Sequence, residues 1–392
     1  MSETNIEPAL SGQAHFRFDA VPNDTAFRAR TSTAPPLGPL AAFVGTFTGR
    51  GFNTIFRPNS TVTPTQLPSM PPEGPPDNVL ELNLTTETLS FSAPLGMVPN
   101  RGSGHQPDAS LNGVPYLQTI SDVTLPGQSV GIHFEPGLWM HVPPTGIPEE
   151  GESVVRMASI PHGTTIEAQG TFTPPIPGKP VFEKSDITPN FVNGPLHRFP
   201  SQTVTDEKTE RIPQDLTSFA AAGTITQEIL DDPNLVLANH IANQNVTSFV
   251  AMTINTIPKA PLFGGGTDNI AFLLGDAGGT ATPNANATQM SATFWIETVE
   301  YVLEIPPTPY GYPPRRIPAP TGEAGQPVPT FLVDPPFEIT EPRRITVSTT
   351  QIQYTQRVLL VFAGLVWPHV SVATLVPYAP IPIPVAAWGP HP

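Results

Sequence analysis

The chain has 392 residues, 53 prolines, 31 glycines, no cysteine and a net charge of −15. Its length suits one large all-β domain with elaborations, or two domains. Zero cysteine excludes disulfides, thiolate metal sites and cysteine catalysis, and the acidic balance without a Lys/Arg cluster argues against nucleic acid or anionic membranes as partners.

Proline and glycine together exceed a fifth of the chain, with no collagen-like period. The prolines cluster between apolar runs, where they punctuate strands and stiffen connections. No apolar run approaches the roughly 18 residues of a membrane helix. The opening MSETNIEPALSG has neither the basic nor the apolar part of a secretory signal, so a cytoplasmic location is the default expectation.

In chain order, residues 1–38 read as a polar, Pro-rich arm. Strand-like segments follow at Leu40–Arg57, Val79–Ser92, Val114–Val123, Ile132–Val142, Ser153–Ser159 and Thr164–Thr173. VLELNLTTETLSFS alternates, with Leu80, Leu82 and Leu84 on one face and polar residues on the other, the pattern of a half-buried strand. A long Pro-rich connection spans 174–215, and 216–231 is the one plausible helix. Strands resume at Asn234–Ile241, Thr247–Thr256, Asn269–Leu274 and Ala287–Ile305. After a second Pro-rich stretch come Ile345–Tyr354, Val358–Phe362 and His369–Leu375. This rhythm is that of a meander or up-and-down barrel.

Five motifs in order carry a resemblance. FVGTFTGRGFNTIFRP places Gly45, Gly49 and Gly51 on the first strand, where glycines let a closing sheet bend. TTETLSFS, GVPYLQTISDV, IHFEPGLWMHVPP and VVRMASIPHGTTIEAQGTF follow. Together they resemble the nitrobindin family, haem-binding ten-stranded barrels related to fatty-acid-binding proteins. The resemblance covers residues 40–173 well and continues weakly to 305. It implies an antiparallel, lipocalin-like β-barrel over 39–305, with 306–392 as a C-terminal β-extension outside the barrel or over its mouth. It also implies a cavity for haem or an apolar ligand, with iron held by a histidine on the last barrel strand. MSATFWIETVEYVLEI stands in that place and holds no histidine. The motif's own histidine is His133.

Without thiolates, imidazole is the expected ligand for iron or manganese. His133 and His141 share strand parity unless Pro136-Gly137 forms a bulge. His162 lies near a hairpin turn and His240 in LVLANHIANQ. These four form the candidate metal set, and each also has an ordinary reading as a barrel or surface residue. His133, Phe134 and Trp139 are the candidate cofactor contacts. Phe294 and Trp295 are further candidate pocket aromatics, and Glu135 or Glu167 would orient an imidazole if it did not simply face solvent. No metal-spacing motif, serine elbow or phosphate loop accompanies them.

The expected function is therefore a non-haem iron or manganese protein acting by redox or oxygenase chemistry on a small apolar or aromatic compound. The alternative is a non-catalytic barrel that binds haem b or a hydrophobic ligand.

Overall fold

The computed structural model describes residues 34–60, 62, 77–259, 262, 264–276, 282–320 and 327–389. The arm expected over 1–38 lies outside them except for residues 34–38. Ten long antiparallel strands close a barrel: β1 (Gly45–Pro58), β2 (Asn78–Phe91), β3 (Ala109–Asp122), β4 (Val130–Val142), β5 (Ser153–Ile160), β6 (Thr164–Phe172), β7 (Asn245–Asn255), β8 (Asn286–Ile305), β9 (Arg343–Phe362) and β10 (Leu365–Pro377). Each strand pairs with the next in sequence, and β10 returns to β1, so no main edge is left open.

The barrel thus runs from residue 45 to residue 377 rather than ending at 305. Its last strand is β10, not MSATFWIETVEYVLEI, which is β8. The two closing strands come from the stretch expected to lie outside. Only the small sheet of Arg315–Pro318, Thr330–Val333 and Ile381–Pro382 behaves as an extension. It packs over the far ends of β8 and β9, burying Tyr301, Leu303, Ile305, Ile345 and Val347 with Phe331 and Val333.

Strand parity decides what enters the barrel. On β2 the leucines at 80, 82 and 84 point outward, while the polar face of Glu81, Asn83, Thr85 and Glu87 lines the interior. The alternation was legible, but its sense is the reverse of a simple solvent-facing strand. The reason lies in the long connection. Residues 174–244 fold back over β1, β2 and β10, and their Ile187, Phe199, Leu216, Ile225, Leu230 and Leu237 cover Phe52, Phe56, Leu80, Leu82, Val370 and Val372.

This connection has little regular structure, so its backbone must be satisfied otherwise. Buried Arg211 donates to the carbonyls of Ser201, Thr203, Val204, Asp206 and Gln214 at 2.8–3.3 Å. Its helices are short: α1 (Thr217–Ala221), α2 (Gln227–Asp231) and α3 (Leu235–Ile241). The single helix expected over 216–231 is therefore two helices broken at Gly223, which has φ +73°. The strand expected over Asn234–Ile241 is α3, because its apolar Leu237 and Ile241 are spaced for one helical face. Asn269–Leu274 likewise divides, ending in the short helix α4 (Ala271–Leu274).

Gly49 and Gly51 are required by close approach. A Cβ at Gly49 would stand 1.9 Å from the Thr374 carbonyl oxygen, and one at Gly51 would stand 2.3 Å from that of Val372. Both oxygens belong to β10, so these glycines serve the closure of the barrel.

One buried acid lies on the outside wall, under the chain just after α3. Glu297 on β8 accepts from Gln351 at 2.7 Å, and Gln351 in turn donates to Gln244 at 2.9 Å. Burial pushes Glu297 up to about 8 from 4.5. It is thus neutral in the fold at pH values where the unfolded chain ionises it. Its contribution to stability is complete below pH 4.5 and is lost as pH rises to about 8. The Glu297→Gln variant should accordingly lose less thermal stability than the native chain across that window, and melting curves in a pH series check it.

Candidate functional site

The interior has three levels. At one end, Leu40, Phe43, Phe47, Phe91 and Trp139 make a solid apolar plug, fixed by the Gly38–Ala42 turn and by Asn112 donating to the Pro35 carbonyl at 2.7 Å. Trp139 meets Phe43 and Phe294 edge-on at 5.7 and 5.2 Å. It is buried core and does not line the histidine cavity described below, which removes it from the cofactor contacts there. Phe134 has the opposite parity on β4 and is 47% exposed outside the barrel, so it is removed too. Phe294 stacks on Tyr354 within the core, and Trp295 lies outside the barrel against Phe182 at 4.8 Å.

The middle level is a buried polar layer around Arg156 on β5. Its Nη2 meets Glu135 Oε1 at 2.5 Å, its Nε donates to the Tyr116 hydroxyl at 2.7 Å, and its Nη1 donates to Gln356 Oε1 at 2.7 Å. Tyr116 also donates to Glu135. The guanidinium lies near the rings of Tyr116, Trp139 and Phe294 at 5.4–5.7 Å. Burial alone would raise Glu135, but the charge of Arg156, helped by His133 and Tyr116, holds it down at about 2. Glu135 therefore does not face solvent as expected; it is fully buried, while Glu167 is exposed. Beside this group, Tyr354 donates to Glu87 at 2.7 Å and Gln118 donates to Tyr354 at 3.0 Å. Glu87 has no direct ion-pair partner among the described residues, and burial lifts it to about 7 against the opposing hydrogen bonds of Tyr354 and Gln118 and the charge of His133.

The third level is a cavity of about 460 Å³, within the size range of small-ligand sites. Ile120, Ile132, Ile160, Leu273, Val358 and Leu360 give it apolar walls. Three imidazoles face it: His133 of β4, His162 of the β5–β6 turn and His369 of β10. The His133 and His162 rings are 6.4 Å apart, centre to centre.

The four-histidine shell does not assemble. His133 and His141 do share a face, so Pro136-Gly137 leaves the parity intact. Eight residues of strand, however, separate them by roughly 26 Å. His141 sits at the plug end, bonded to Glu152 at 2.7 Å. His240 lies on α3, outside the barrel, bonded to Gln244 at 3.2 Å. Among the described residues, no three His, Asp or Glu side chains are placed to hold a metal ion.

The residue that sequence reasoning missed is His369. HVSVATLV alternates, with Val370 and Val372 outward against the long connection and His369, Ser371 and Ala373 inward. The parity was visible, but the strand had been placed outside the barrel. Asn53 on β1 donates to His369 Nε2 at 2.8 Å, and to Ser371 Oγ at 2.8 Å. An amide N–H only donates, so Nε2 keeps its lone pair and the ring is neutral with its proton on Nδ1. Burial, with the charges of His133 and His162 adding to it, pushes His369 down to about 3, which keeps it neutral.

At the cavity's side wall, Arg57 and Glu81 form an ion pair at 2.6 Å, and Asn83 links Glu81 at 3.1 Å to Asn53 at 3.4 Å.

No family model matches this chain, and no curated protein does. Among solved structures, the crystal structure of Rv2717c from M. tuberculosis overlaps it with a TM-score of 0.32 at 11% identity, over 89% of this chain and 100% of that one. An overlap this loose carries no argument; the barrel stands on its own strand register.

No described helix is long and apolar enough to cross a membrane.

Proposed function

We propose that this barrel binds a planar, largely apolar cofactor of the haem class in its histidine-lined cavity, where His369 would hold the iron. The observation that carries the reading is a neutral imidazole on the last barrel strand, facing a partly open, mostly apolar cavity. That is the place where the nitrobindin resemblance implies the iron ligand.

The residues fit the group. A haem iron needs one protein ligand, in contrast to the three or more of a bare metal site. The imidazole must be neutral, as His369 is. Asn53 donates to its Nε2 and to Ser371 Oγ, so His369 would give up only that one hydrogen bond to hold the group, and Asn53 would keep Ser371 as a partner. The isoleucine, valine and leucine walls suit a macrocycle face. When bound, haem would supply an iron that takes small diatomic ligands or peroxide. The chain's own part is to present His369 in the right tautomer and to exclude bulk water.

The test is titration of haemin into the full-length protein. A Soret band saturating at one equivalent supports the reading. Haemin that binds without a band change, or without saturation, removes it.

The expected non-haem iron or manganese centre is the weaker reading: His133, His162 and His369 line one cavity, yet no three His, Asp or Glu side chains among the described residues are placed to hold an ion. Elemental analysis of protein purified without a histidine tag distinguishes the two: about one equivalent of metal with no Soret band would favour the bare-metal centre over haem.

A further inference from the structure

We propose that His133 is a proton acceptor for a hydroxyl-bearing aromatic ligand of this cavity, poised by the buried Glu135–Arg156 pair. This inference uses the same cavity as the haem reading but not the cofactor.

The geometry sets the tautomer. His133 Nε2 lies 3.0 Å from Glu135 Oε2, and the other oxygen of that carboxylate is held by Arg156 and Tyr116. A carboxylate paired with a guanidinium inside a barrel is ionised and can only accept. In its neutral form His133 therefore carries its proton on Nε2. Nδ1 is left with a lone pair and has no partner among the described residues. The arrangement is that of a base oriented by a third group, with a fixed cation behind the carboxylate. His162 repeats the pattern more weakly: its Nε2 donates to the Ile132 carbonyl at 3.1 Å, which leaves its Nδ1 as an acceptor. Two anchored imidazoles, with ring centres 6.4 Å apart, thus line one largely apolar cavity, each keeping Nδ1 as its unengaged nitrogen. Glu87 and His369 are the other titratable groups electrostatically coupled to His133.

The ligand class follows from these surroundings. The apolar walls call for an apolar body, and a lone-pair acceptor calls for a donor. Only an acidic O–H can hand its proton to an imidazole, which selects a phenol over an aliphatic alcohol. In the transfer the phenol O–H bond breaks and an Nδ1–H bond forms, while the Nε2–H stays on Glu135. The phenolate, the imidazolium, Glu135 and Arg156 then sum to zero charge, so the buried set gains no net charge.

The experiment uses the haem-free full-length protein and p-nitrophenol, whose phenolate absorbs in the visible. At a pH below the probe's own midpoint, the bound probe should show a phenolate-to-phenol ratio about tenfold above that in buffer, equivalent to one pKa unit. The His133→Gln variant leaves Glu135 and Arg156 paired, and it should lose that excess while still binding the probe. An equal excess in the variant, a bound probe that stays neutral, or no binding to the native chain would each overturn the proposal. None of these outcomes touches the haem reading, which the haemin titration decides separately.

Discussion

Replacing His369 with alanine is expected to abolish the haemin Soret band and to lower haemin affinity by at least about 100-fold, since even outer-shell partners of a ligand contribute 10–100-fold. His369 is the one neutral imidazole that β10 turns into the cavity, and no neighbouring side chain on that strand can replace it: Ser371 is next on the same face. His141→Ala and His240→Ala are the controls. The first residue lies at the plug end and the second outside the barrel, so both variants should titrate like the native chain. Loss of the band in either control, or its survival in His369→Ala, would move the ligand elsewhere.

The second large effect concerns stability. Glu135→Ala is expected to destabilise the fold by about 3–5 kcal/mol, because it leaves the Arg156 guanidinium buried without its counter-charge. Arg156 would keep Tyr116 and Gln356 as hydrogen-bond acceptors, but neither is an anion. The double variant Glu135→Met with Arg156→Met should recover most of that loss, since apolar replacement of a buried pair is often close to neutral. Urea unfolding of Glu135→Met, Arg156→Met and the double variant closes the cycle. A cost below about 1 kcal/mol for Glu135→Ala would place the pair among exposed ion pairs instead. The pair also sets an acid limit. Glu135 is depressed from 4.5 to about 2, so its contribution is present above pH 4.5 and drains away as pH falls toward 2.

Much of the barrel was legible in the chain, for reasons that particular residues show. Period-two alternation in β2 and β4 and the glycines of β1 report local pleating and strand closeness, which depend on near neighbours. Two things were not local. Whether Leu80 and Leu82 face in or out depends on a cover supplied by Phe199, Leu216 and Leu237, more than a hundred positions later. Where the sheet closes depends on the β10–β1 pairing, which no spacing in β8 could reveal. The site followed the same division. His133 and His162 were found because adjacent strands bring them together. His369 was missed with its strand, and Glu135 was misjudged because its partner Arg156 is a lone cation in the sequence, with no motif to mark it. His141 shows the opposite failure: correct parity, but too far along the axis.

The register between β1 and β10 has a consequence for how the chain comes into being. Asn53 and His369 meet across the seam although 316 residues separate them. On a ribosome, β1 to β6 are complete while both of their outer edges still lack partners, a state open to wrong pairing. The segment 174–244 emerges next, ahead of the strands that close the sheet. It carries the Phe199, Leu216 and Leu237 side chains that cover Phe52, Phe56, Leu80 and Leu82. The proline-rich excursion is thus made before the strands that close the sheet, so the cover for the outer face of β1 and β2 is available before β10 arrives.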